Sequence, residues 1–108
     1  MSTTTPSYVS GISATPLMFQ TIGDALEQAA EQFGDRDAVI VRHQNVRMSY
    51  AELNTAVDEL AAGLLSLGLQ PGERIGIWSP NRIEWVLTQF ATAKIGLVLV
   101  NINPAYRI

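Results

Sequence analysis

Ser79-Pro80-Asn81 is the stretch of this sequence best placed to do chemistry. It follows the apolar run Arg74 to Trp78 and precedes a run with helical spacing, so its hydroxyl and amide stand where a strand ends and a helix begins. In open α/β sheets ligands bind at that edge, and the free N–H groups of a helix start attract anions. Capping accounts for the same residues, with a hydroxyl or amide as the cap and a proline placed to start the helix. Trp78 and Trp85 flank the loop. They could line an apolar ligand surface, but packing of a strand end on a helix is expected of them. Arg82 and Lys94 could meet an anion, yet surface exposure is their default.

The other reactive side chains are scattered. His43 is the only histidine and sits in a polar turn with no second ligand or base beside it, so an exposed turn residue is expected. Glu52, Asp58, Glu59 and Glu84 all fall on helices. Acid–base work by paired carboxylates needs two groups converging across a cleft, and nothing in their spacing points to that. Glu52 belongs to a helix cap, while Asp58 and Glu59 lie off the apolar stripe and belong in water. Neither GxGxxG nor GxxxxGK[ST] occurs; Gly68, Gly72, Gly76 and Gly96 fit turns, a helix stop and close packing. The chain has no cysteine, which excludes disulfides, thiolate zinc sites and cysteine nucleophiles. The expected site inventory of these 108 residues is therefore empty: no catalytic residue, no cofactor-binding residue, no metal ligand.

The elements that would position these groups are legible from periodicity. Residues 21–33 place Ile22, Ala25, Leu26, Ala29 and Phe33 on one helical face, with Thr21 as N-cap and Gly34 as stop. Residues 37–41, DAVIV, read as a strand, His43 to Asn45 as a turn and Val46 to Met48 as the return strand of a hairpin. Ser49-Tyr50-Ala51-Glu52 fits a capping box, opening a helix to about Leu67 whose stripe is Leu53, Val57, Leu60, Leu64 and Leu67. Pro71-Gly72 is turn chemistry. Strand 74–78, helix 82–95 with Ile83, Val86, Leu87, Phe90 and Ala91 inward, and strand 97–101 form a strand–helix–strand unit, for which parallel pairing is the default. The aliphatic run 97–100 reads as a strand buried on both faces.

Composition sets the class. With 47% hydrophobic and 16% charged residues the chain is globular rather than disordered. A net charge of −3 argues against a nucleic-acid partner and against a polybasic membrane anchor. No apolar stretch approaches the ~18 residues of a transmembrane helix, and the N-terminus lacks both the positive charge and the apolar run of a signal peptide. A cytoplasmic location is expected. Ten of residues 1–16 are Ser, Thr or Pro, which predicts a mobile leader, followed from Leu17, Met18 and Phe19 by a domain over 17–108. A purely aliphatic parallel strand needs helices on both faces and neighbours on both edges, more than three helices and about four strands supply. The expectation is the opening part of a larger domain.

Two stretches together carry a resemblance. One is Arg47-Met48-Ser49-Tyr50-Ala51-Glu52-Leu53-Asn54. The other runs from Gly68-Leu69-Gln70-Pro71-Gly72-Glu73-Arg74 through Ser79-Pro80-Asn81 and Glu84-Trp85 to Asn101-Ile102-Asn103-Pro104-Ala105-Tyr106-Arg107. In this order they resemble the N-terminal region of the AMP-forming acyl-CoA synthetases of the adenylate-forming superfamily, over about residues 17–108. The resemblance implies an α/β fold, the N-terminal part of a large domain with a layered sheet and flanking helices. It implies an ATP-dependent ligase that activates a carboxylic acid, a fatty acid by the look of the Asn-Pro ending, as an acyl-adenylate and passes it to coenzyme A. ATP, Mg²⁺ and CoA belong to that parent enzyme, and none is expected for this stretch alone. Its phosphate loop, its adenine and ribose motifs and its catalytic lysine fall after Ile108, so no catalytic residue carries over. The partner of this region is then the remainder of the same polypeptide. An adenylation or aryl-acid ligase of the same superfamily, or a truncated, non-catalytic interaction module, are the alternatives.

Overall fold

Thr21 opens the first regular element of the computed structural model, which describes Thr4 and residues 7–107. Its Oγ1 accepts from the Asp24 N–H at 3.1 Å, and helix α1 follows over Ile22–Phe33. Of the predicted leader, residues 1–3, 5 and 6 lie outside the described residues. Leu17, Met18 and Phe19, expected to begin the ordered part, have no regular structure and are exposed. Gly34 ends α1 as expected, but with helical dihedrals, φ −46° and ψ −40°, rather than a left-handed cap. Close approach explains the glycine: a Cβ there would meet Ala30 O at 2.8 Å.

The hairpin forms as the sequence indicates. Strands β1 (Asp37–Val41) and β2 (Val46–Ser49) pair antiparallel, with a register shift between Asp37 and Val39. The extra residue of a bulge lets Ala38 and Val39 both lean on the core. The connection is one 3₁₀ turn, Arg42–Gln44, closed by Asn45 in the left-handed region with its N–H on Arg42 O at 3.0 Å; asparagine tolerates that conformation.

Ser49 caps helix α2 (Tyr50–Ser66), its Oγ accepting from Glu52 N at 3.2 Å. The free donors of the first turn are satisfied from the loop after α1: Tyr50 N–H on Arg36 O at 3.0 Å and Ala51 N–H on Gly34 O at 3.1 Å. Capping thus also docks α2 against the end of α1. Of the predicted stripe, Leu53, Val57 and Leu64 are buried and Leu60 is partly so, while Ala61 joins them. Leu67 does not belong to it. The helix stops at Ser66, Gly68 turns away at φ +84°, and Leu67 is left in water.

Strand β3 (Arg74–Trp78), helix α3 (Ile83–Lys94) and strand β4 (Val98–Ile102) make the expected unit, with β3 and β4 parallel in the register Arg74↔Val98 to Trp78↔Ile102. The two strand pairs remain separate two-stranded sheets. The core joins Leu26 of α1, four residues of α2, Ala91 of α3 and Leu97, with Ile75 of β3 packed against it. Each fully buried Leu or Val there contributes about 1.5–3 kcal/mol relative to exposure.

The expectation that the run 97–100 is buried on both faces is corrected. Only Leu97, which precedes β4, is buried. Val98, Val100 and Ile102 point to the side away from the core and are 46%, 40% and 37% exposed, beside Trp78 at 53%. The helices cover one face of this sheet, and no described residue covers the other.

Candidate functional site

The carboxyl ends of β3 and β4 lie side by side because the strands are parallel and in register. Ser79, Pro80, Asn81 and Trp85 on one side and Asn101 to Pro104 with Tyr106 on the other line an open recess of about 520 Å³ there. A second groove of about 380 Å³ shares Asn81 and Trp85 and adds Ile40, Val41, Arg42, His43, Arg82 and Val86. Trp85 is therefore a wall of ligand-sized space rather than packing alone, whereas Trp78 points outward from the open sheet face. His43 is exposed, as expected for a turn residue.

The predicted capping by Ser79, Pro80 and Asn81 is not what the structure shows. The N-cap position of α3 is Arg82, which makes no side-chain cap. Ser79 Oγ instead donates to Pro80 O at 2.9 Å. The cap comes from the hairpin turn, where Gln44 Oε1 accepts from Ile83 N–H at 2.7 Å. The same carboxamide gives its Nε2 protons to Glu84, at 3.0 and 3.3 Å from the two carboxylate oxygens. These bonds are the main reason that the Glu84 carboxyl sits below the usual glutamate range. Its own backbone N–H adds to the effect, slight desolvation opposes it, and Arg82, whose Nε stands 3.4 Å away, adds least. The carboxylate belongs at that end of a helix, where the dipole favours negative charge.

Lys94 departs from the expectation of exposure. Its side chain is 10% exposed, and Nζ donates to Asn54 Oδ1 at 2.6 Å, Asp58 Oδ1 at 2.7 Å and Glu27 Oε1 at 3.2 Å. One ammonium thus ties α1, α2 and α3. Asp58, expected in water, is half-exposed but committed to this cluster. Glu52 and Glu59 line one shallow, open recess on α2 with Ala51, Thr55 and Ala56, and no histidine or lysine lines it.

Gln44 and Asn54 are residues to which the sequence assigned no contact, and Glu27, expected on the water-facing side of α1, is half-exposed but reaches Lys94. Gln44 lies 39 positions before Ile83, from whose N–H it accepts, and Asn54 40 before Lys94. No local pattern signals a contact between side chains so far apart. Among the described residues no group of three or more His, Cys, Asp or Glu could hold a metal ion.

The model of the AMP-binding enzyme family matches residues 26–108, and the chain belongs to that family. Its fold matches part of the N-terminal domain of the adenylate-forming enzymes. Among curated relatives, the medium-chain acyl-CoA ligase ACSF2, mitochondrial, of Mus musculus is 46% identical over 101 residues, covering 94% of this chain and 16% of its own length. The inhibitor-bound N-terminal domain of FACL13 from Mycobacterium tuberculosis superposes with TM-score 0.78 at 32% identity, over 82% of this chain and 22% of that domain. The N-terminal subdomain of Klebsiella oxytoca NpsA, in complex with anthranilyl-AMSN, does so with TM-score 0.75 at 28% identity, over 80% of this chain and 22% of that one. The chain thus spans about a sixth of the curated relative's length.

Proposed function

We propose that this chain forms the opening wall of an ATP-dependent acyl-CoA synthetase, in which a carboxylic acid, ATP and CoA give acyl-CoA, AMP and pyrophosphate. The observation that carries this reading is the 46% identity, over nearly the whole chain, to a medium-chain acyl-CoA ligase. A fatty acid of medium length is the substrate that this likeness favours. The described residues offer no metal-holding group and the sequence has no phosphate loop, so these residues do not by themselves fit ATP with Mg²⁺. The chemistry is assigned to polypeptide outside this stretch. The role proposed here is scaffolding: α1, α2 and α3 hold β3 and β4 so that their carboxyl ends open into the recess at Asn81, Trp85 and Asn101.

Pyrophosphate release tests both halves of the reading. The 108-residue chain with ATP, Mg²⁺, CoA and a panel of acids is expected to release none. A protein of the relatives' length carrying this stretch is expected to release it with octanoate or a similar acid. Turnover by the short chain overturns the scaffold assignment, and absence of acid-dependent release from the long one overturns the ligase assignment. The likeness to NpsA supports a second reading, an aryl-acid ligase, which a preference for benzoate-type acids in the same panel would establish. A cytoplasmic location is part of the proposal. No described helix is long and apolar enough to cross a membrane, the curated relative is mitochondrial, and cell fractionation separates the two compartments.

A further inference from the structure

Gln44 ends the turn between β1 and β2, yet both ends of its carboxamide are engaged on α3. The oxygen accepts from Ile83 N–H at 2.7 Å, and the nitrogen donates to Glu84 at 3.0 and 3.3 Å. The assignment is forced, because only the oxygen can receive an N–H and only the nitrogen can serve a carboxylate. Ile83 is 6% exposed, so water is a poor substitute for this acceptor at its N–H. Arg82, at the cap position, supplies no side-chain cap of its own. Asn45, in its left-handed conformation, closes the turn directly after Gln44.

We propose that Gln44 is a positioning residue: from the hairpin it holds the first turn of α3, and through it Asn81 and Trp85, the wall shared by the two recesses at the strand ends. A cap supplied from afar has a consequence that a local one lacks. Ser79 and Asn81 are released from capping and line the recess, Ser79 with its hydroxyl on Pro80 O, while the helix start stays satisfied. The hairpin, which lines one recess through Ile40, Arg42 and His43, is bound by the same residue to the helix that lines both. This inference rests on the recess geometry and not on the ligase reading, and either can fail alone.

Amide hydrogen exchange of the 108-residue chain, resolved by peptide, tests it. Gln44→Ala is expected to speed exchange across residues 79–87 about tenfold, the size of effect that follows from losing one cap, and to leave residues 22–33 unchanged. Gln44→Glu sets two carboxylates face to face and is expected to loosen the same segment. Combining Gln44→Glu with Glu84→Gln rebuilds the amide–carboxylate pair with its ends exchanged, and is expected to restore slow exchange. Unchanged exchange over 79–87 in Gln44→Ala would overturn the proposal, and so would equal acceleration in α1. If Gln44→Ala does not fold, the two Gln44→Glu variants still decide, because they keep the size of the side chain; failure of the exchanged pair to restore protection counts against the proposal.

Discussion

Val100→Lys asks whether the outer face of β3 and β4 is a surface awaiting cover. Full burial of an aliphatic side chain stabilises by about 1.5–3 kcal/mol. Trp78, Val98, Val100 and Ile102 retain between 37% and 53% of their exposure, so roughly 3–4 kcal/mol of burial free energy per face is unrealised. Two such faces meeting would gain about twice that, against an association cost of about 4 kcal/mol or more. The result is weak self-association, with a dissociation constant of about 1 mM at the tightest from this face alone; the open strand edges add to it. Lysine at position 100 removes part of the apolar area on both partners and sets like charges together, which should weaken association about tenfold, or ~1.4 kcal/mol. The monomer should lose less than about 1 kcal/mol, because the position is already half in water. Sedimentation equilibrium over a concentration series reads the first quantity and urea unfolding at low concentration the second. Unaltered association would show that this face is not the sticky one. A loss above about 2 kcal/mol in the monomer would show that Val100 is packed, and the reasoning about a missing wall would fail.

Val57 is wholly buried among the three helices, so Val57→Ala should cost about 2 kcal/mol in urea unfolding through lost transfer and cavity terms. Lys94→Met keeps the stem that packs on Gly23 but leaves Glu27 and Asp58 without their cation. The expected loss is about 1–3 kcal/mol, held below that of a fully buried pair because both carboxylates are half-exposed. Since the Glu84 carboxyl is held below the usual range by Gln44, its ionised form is favoured by folding. That contribution is fully present above the unfolded value of about 4.3 and disappears as pH falls through the lower folded value. Carboxyl NMR should place the Glu84 midpoint below those of free glutamates, and Gln44→Ala should move it upward.

Residues near one another in sequence decided most of the secondary structure of this protein, because the physics involved is local. Thr21 and Ser49 cap helices whose donors lie three residues on, Gly68 reverses the chain where φ must be positive, and the apolar spacing of α2 marks its inner side before any partner is known. The parallel β3–α3–β4 unit follows from short connections, and the ordered motifs from Ser49 to Pro104 already pointed to the family. Distant contacts required the fold. That Gln44 rather than Ser79 or Asn81 caps α3, and that Lys94 is drawn inward by groups from the two other helices, depend on residues about 40 or more positions apart, whose meeting no periodicity encodes. The aliphatic residues of β4 show the same division. Their types specify a strand meant for burial, but whether a face is covered depends on what packs against it, and the helices among the described residues pack on one side only.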